Sequence, residues 1–180
     1  MYQFIAFMIL SIISVCSFAD TAVYWEKVEH TNFLRASIND VAEAKLLYEG
    51  LNVKETKGRS GSQKTYESTG NWLEITCTKS DMPIGLSYTC LVSLKEGSTR
   101  TKASYLKDGF LVNDFKDETD ATELYEAVSL LPNSGPVLRN GMLKEFLTKD
   151  KKVEIRVTKF VDDTVWYQAR VSIQVPPPKK

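Results

Sequence analysis

From Leu73 onward the chain keeps returning to a period of two. Leu73, Ile75 and Cys77 alternate with Glu74, Thr76 and Thr78, while Leu86, Tyr88, Cys90, Val92 and Leu94 alternate with Ser87, Thr89, Leu91 and Ser93. Later, Val153, Ile155 and Val157 alternate with Glu154, Arg156 and Thr158, and Val165, Tyr167, Ala169, Val171 and Ile173 form a further apolar row. Alternation sends successive side chains to opposite faces, so these runs predict antiparallel strands with one buried and one wet side. Asp81–Gly85 and Asp162–Asp163 supply the turns. Lys64–Ser68 and Lys144–Thr148 are shorter strand candidates, and Val23–Val28 and Thr101–Lys107 are candidate leading strands.

The period changes to that of a helix twice. Ala44, Leu47, Tyr48 and Leu51 are spaced to form one apolar stripe, as are Ala121, Leu124, Tyr125 and Val128. Asn39 and Asp40 are start signals for the first helix, and Asp117 with Thr119 for the second. Gly50 loosens the end of the first, while Pro132, Asn133 and Gly135 stop the second.

The two stretches align. Laying Phe33–Leu51 over Phe110–Val128 without a gap makes seven of nineteen positions identical, including Asp40/Asp117, Leu47/Leu124 and Tyr48/Tyr125. Further on, Lys64/Lys144, Glu74/Glu154, Ile75/Ile155, Thr78/Thr158 and Lys79/Lys159 coincide, as do Tyr88/Tyr167, Val92/Val171 and Ser93/Ser172. Shared periodicity explains matched apolar positions but not Tyr on Tyr or Lys on Lys. The expected fold class is therefore α+β, in two tandem repeats spanning 20–97 and 98–175. Each repeat is expected to pack one helix on an antiparallel sheet of three or four strands. The Pro/Lys tail 176–180 is expected to be disordered, since proline has no amide to extend a strand.

At the N-terminus, the apolar run Phe4–Val15 followed by Ser17-Phe18-Ala19 has the form of a signal peptide cut after Ala19. An uncleaved anchor and a lipid-modified Cys16 are the alternatives; Val15 is large for the position before a lipidated cysteine. Cleavage leaves Cys77 and Cys90, an even pair that predicts a disulfide in an exported, periplasmic or extracellular, protein. Both lie on the core-facing side of one predicted hairpin, and Val157 and Ala169 fill the matching places in the second repeat.

Charge narrows the partners. The 23 basic and 23 acidic residues cancel, which argues against nucleic acid. No membrane association is expected after signal cleavage. His30, the single histidine, has no nucleophile elbow to serve. Asp114, Asp117, Glu118 and Asp120 form an acidic cluster that lacks calcium-loop spacing and suits a helix N-terminus. Gly58-Arg59-Ser60-Gly61-Ser62 resembles a phosphate cradle but lacks the Gly-Lys-Ser/Thr signature, and reads as a mobile loop. No catalytic, cofactor or metal set is expected. The remaining candidate is the solvent side of the sheet, where Arg156, Trp166, Gln168 and Arg170 of the second repeat join Leu91, Thr76 and Thr89 of the first in a candidate partner-binding face.

The tandem helix-and-sheet plan in an exported chain resembles the β-lactamase inhibitory protein family, which grips enzymes with the concave outer face of its joined sheets. That family has a helical hairpin and a disulfide in each module, against one helix per copy and one bridge here, so none of its binding residues carries over. The resemblance implies a non-enzymatic binding or inhibitor protein with another protein as partner. The alternatives are a hydrolase using carboxylates such as Glu74 and Glu154, or a structural envelope protein.

Overall fold

Each alternating run finds its place in one of two sheets. The computed structural model describes residues 21–83, 85–96, 104–115, 118–129, 131–132, 134–137 and 141–178. The expected signal segment, Cys16, Asp117, Asn133 and the last two lysines lie outside the described residues. The first half runs β1 (Ala22–Val28), β2 (Thr31–Ile38), α1 (Val41–Gly50), β3 (Glu55–Gly58), β4 (Gly61–Glu67), β5 (Leu73–Met82) and β6 (Gly85–Lys95). The second runs β7 (Ser104–Lys107), β8 (Phe110–Phe115), α2 (Glu118–Ala127), β9 (Gly135–Val137), β10 (Gly141–Leu147), β11 (Val153–Val161) and β12 (Val165–Gln174). They form two 6-stranded sheets, ordered β1-β2-β6-β5-β4-β3 and β7-β8-β12-β11-β10-β9, with every pairing antiparallel.

This corrects the expected α+β class of helix-on-sheet repeats. Strands dominate, each sheet holds six rather than three or four, and the two helices are only 10 residues long, so the molecule is closer to a β-sandwich. The strands that periodicity does not place are β2, β3, β8 and β9. In β2, Leu34, Ala36 and Ile38 do alternate, but the run leads directly into the helix cap and reads as an approach to it. The residues of β3, Glu-Thr-Lys-Gly, are all exposed. Such an edge strand is held by backbone hydrogen bonds, which leave no trace in a hydropathy pattern. Gly58–Ser62 is likewise part of the β3–β4 hairpin rather than a loose loop. Gly61 has φ +152°, and a Cβ there would lie 2.0 Å from the Lys79 carbonyl oxygen, so packing against β5 accounts for this glycine.

The inner faces share one core. Leu34, Ile38, Leu47 and Ile75 from the first half belong to the same buried cluster as Leu111, Leu124, Phe146 and Ile155 from the second. Helix α1 lies on β6 and β5, and α2 on β12 and β11. The helix ends meet where Leu51 and Val128 form an isolated bridge. The Asn52 amide donates to the Ala127 carbonyl at 2.6 Å, and the Ser129 amide to Gly50 at 2.7 Å. The buried Glu43 carboxylate accepts from the Lys149 amide at 2.6 Å, and the Thr69 hydroxyl donates to Glu123 at 2.8 Å.

Two lysines close the helices. The Lys64 ammonium donates to the carbonyls of Tyr48 and Leu51 at 3.1 and 2.7 Å, and stands 4.9 Å from the Tyr48 ring centre. Lys144 donates to Tyr125 and Val128 at 2.6 and 2.5 Å, and stands 3.7 Å from the Tyr125 ring centre. The last carbonyls of a helix lack intrahelical donors and carry the negative end of its dipole, so a cation there answers both needs. Each tyrosine also meets a strand tyrosine: Tyr48 with Tyr88 at 5.5 Å and Tyr125 with Tyr167 at 5.2 Å.

The expected disulfide is present. Cys77 and Cys90 are direct cross-strand partners with Cα atoms 4.1 Å apart, and Val157 pairs with Ala169 at the same place in the second sheet. Among the described residues no helix is long and apolar enough to cross a membrane.

At the other end of α1, Asp40 accepts from the amides of Ala42 and Glu43, each at 3.0 Å. The hydrogen bond from Glu43, helped by Lys149, holds its carboxyl below the usual 3.8 against a smaller opposing effect of burial. Asp40→Ala should cost about 1 kcal/mol in urea unfolding at neutral pH. A carboxylate whose pKa is lower in the folded chain stabilises it above the unfolded value and loses that contribution as pH falls through the folded value. The gap between wild type and variant should therefore close below 3.8. A gap that persists into strong acid would remove the charged cap from the explanation.

Candidate functional site

The hairpin of β11 and β12 sets the side chains of the outer face. Glu154, Arg156, Thr158 and Phe160 stand opposite Ser172, Arg170, Gln168 and Trp166 respectively. Their neighbours in sequence, Val153, Ile155, Val157, Ala169, Val171 and Ile173, are buried in the core, so this set points away from it.

Arg156 directly opposite Arg170 is an unfavourable pair by itself, since like charges across a ladder repel. Each has its own carboxylate on the strand beyond. The Arg170 Nε and Nη2 donate to the two oxygens of Asp114 at 2.7 and 3.2 Å. Arg156 donates from Nε to Glu145 at 2.8 Å and also reaches Glu154 at 3.0 Å. In register across β10, β11, β12 and β8 the row reads Glu145, Arg156, Arg170, Asp114. Arg156 and Arg170 keep side-chain exposures of 45% and 39%. Glu145 and Asp114 are only 16% and 18% exposed, so the row ties four strands together while leaving the two guanidinium groups partly open to solvent. Next along the ladder, Thr158 and Gln168 join the two arginines in lining a shallow hollow of about 150 Å³.

Beyond it Trp166 stacks on Phe160, with ring centres 3.8 Å apart and planes within 10°. Trp166 remains 38% exposed. An indole held flat by a neighbouring ring and still open to solvent has lost its side-chain freedom before any partner arrives.

At the corresponding register the first sheet is plain. The row across β4, β5, β6 and β2 is Thr65, Thr76, Leu91 and Ser37, and Ser80 opposite Ser87 takes the place of the aromatic pair. Leu91 thus does not join Arg156, Trp166, Gln168 and Arg170. It projects from the outer face of the other sheet, beside Thr76, with core residues Cys90 and Val92 on either side of it. Glu74 and Glu154 also stand on separate sheets, where Glu74 accepts from the Thr76 hydroxyl at 3.0 Å and Glu154 is engaged by Arg156. The sequence reading missed Asp114 as the partner of Arg170, and Glu145 and Phe160 altogether. Cross-strand register joins them, and no local motif encodes register.

The other singled-out residues scatter. His30 is exposed in the β1–β2 turn at φ 68°. Asp114 is held on the sheet face by Arg170, while Asp120 is buried in the first turn of α2. Among the described residues no group of three or more His, Cys, Asp or Glu side chains could hold a metal ion.

No protein-family model, curated protein or solved structure matches this chain. The helix-on-sheet plan behind the resemblance to the β-lactamase inhibitory protein family is itself replaced by two six-stranded sheets.

Proposed function

We propose that this is an exported, non-enzymatic binding protein, built from two diverged copies of one unit, that engages another protein through the outer face of its second sheet. The observation that carries the reading is the difference between the two faces. Equivalent register positions hold a four-residue charged row and a stacked Phe160–Trp166 pair in one sheet, but hydroxyl side chains and Leu91 in the other. Tryptophan and arginine contribute disproportionately at the centres of protein interfaces.

Supporting duplication, Leu34 pairs with Leu94 as Leu111 pairs with Ile173, and Lys64 pairs with Cys77 as Lys144 pairs with Val157. Supporting export are the amino-terminal apolar run and a disulfide, which persists in oxidising compartments.

The test is partner capture from envelope or extracellular extracts by immobilised wild type and a Trp166→Ala/Arg170→Ala variant. Loss of both side chains should weaken recovery of the true partner on the order of tenfold or more. Equal recovery of every captured protein would dismiss the face.

A further inference from the structure

We propose that the second sheet carries, at its β7–β8 end, a groove that receives an apolar side chain flanked by carboxylates from the partner protein. This rests on the binding-face reading and narrows it.

In the first sheet the equivalent place is closed. Glu26 stands opposite Phe33, and Arg35 opposite Ser93. The Arg35 guanidinium pairs with Glu26 at 2.9 Å, lies 5.6 Å from the Phe33 ring centre, and its cross-strand neighbour Ser93 is fully buried. In the second sheet the same register positions place Lys107 opposite Phe110 and Val112 opposite Ser172. The acid has become a lysine and the arginine a valine, so the ion pair that roofs the first sheet has no counterpart. A groove of about 300 Å³ lies here, with half-buried Phe110, exposed Leu147 and, beneath them, buried Val112 in its lining.

The charges around it select the occupant. Glu154 is engaged by Arg156 at 3.0 Å, and Arg170 by Asp114 at 2.7 Å. Lys107 and Lys151 line the groove without an ion-pair partner among the described residues, and exposed Asp108 balances only one of them. An apolar side chain matches the floor, and a carboxylate complements the positive charge that Asp108 leaves unbalanced. The groove is open along the sheet rather than enclosed. A small molecule there would keep much of its surface in water, whereas a partner protein can insert one anchor residue and seal the surround with its neighbours.

The probes are the capped tripeptide Asp-Phe-Asp and its control Lys-Phe-Lys, titrated into the whole folded chain and followed by amide-resolved NMR. Asp-Phe-Asp should shift the amides of Lys107, Phe110 and Lys151, and bind about tenfold or more tightly than the control, a difference of roughly 1.4 kcal/mol. The double variant Lys107→Glu/Val112→Arg writes the first sheet's closed pair into the second and should abolish the preference. Should that variant fold poorly, the exposed substitution Lys151→Glu should still weaken Asp-Phe-Asp several-fold. Equal affinity for the two peptides, no shift at millimolar peptide, or unchanged binding by the variants would overturn the groove. Partner capture separates the two proposals, because Trp166 lies outside the groove lining. Loss with Trp166→Ala but none with Lys107→Glu/Val112→Arg keeps the face and dismisses the groove, and loss with neither dismisses the face.

Discussion

Replacing Cys77 by Val and Cys90 by Ala should lower the stability of the folded chain by about 3 kcal/mol while leaving its structure intact. The bond closes a loop with a sequence separation of 13, and its main effect is to deny the unfolded chain conformations it would otherwise sample. The replacements are the residues that already occupy the matching pair, Val157 opposite Ala169, at the same depth in the core of the second sheet. Packing is thereby conserved and the covalent link alone is removed. For a chain of this size the loss corresponds to a drop in Tm on the order of 10 °C. Denaturant unfolding with and without reductant checks it: reduced wild type should fall toward the variant, while the variant should ignore reductant. A wild-type midpoint indifferent to reductant would remove the bond from the list of stabilising features.

Lys144→Met should cost about 2 kcal/mol, because it leaves the carbonyls of Tyr125 and Val128 without the donor that now serves both. Methionine keeps most of the apolar stem, so the loss reports the ammonium group. Partial burial already holds the Lys144 ammonium below the usual lysine range, in keeping with its place against the Tyr125 ring. The effect should cross the molecule. Val128 bridges Leu51, and the Ser129 amide donates to Gly50, so loosening the end of α2 should speed hydrogen exchange at Asn52 and Ser129. Lys64→Met should act in the same sense at α1, where Tyr48 and Leu51 lose their donor. Exchange that accelerates only within the second half would show that the two helix ends are not coupled.

These lysines show how unevenly the chain discloses its architecture. Lys64 over Lys144 and Tyr48 over Tyr125 were legible as identities, and a cation that closes a helix over a tyrosine gives both a structural purpose. The long strands were legible because one side of each is buried. Edge strand β3 was not, since its four residues are all exposed and its pairing to β4 is made by the backbone. The expected class failed for two reasons: hydropathy does not see a short exposed edge strand such as β3, and the interior strands β2 and β8, though they bury residues, run straight into the starts of the helices and read as approaches to them. The face was legible in part. Arg156, Trp166, Gln168 and Arg170 share one surface because strand parity places them there, but parity cannot say whether the sheet that carries Leu91 in the first half is continuous with theirs.

By itself the sequence determined the parity of each long strand, the two amphipathic helices and the cysteine pair, all consequences of local periodicity and composition. Only the tertiary structure decided that Glu145, Arg156, Arg170 and Asp114 form one row, that Phe160 stacks on Trp166, and that Lys107 and Val112 leave open what Glu26 and Arg35 close. The reason is physical. These relations depend on the register between strands as much as 56 residues apart, and register is set by the packing of the whole sheet against its core rather than by any residue's neighbours in the chain.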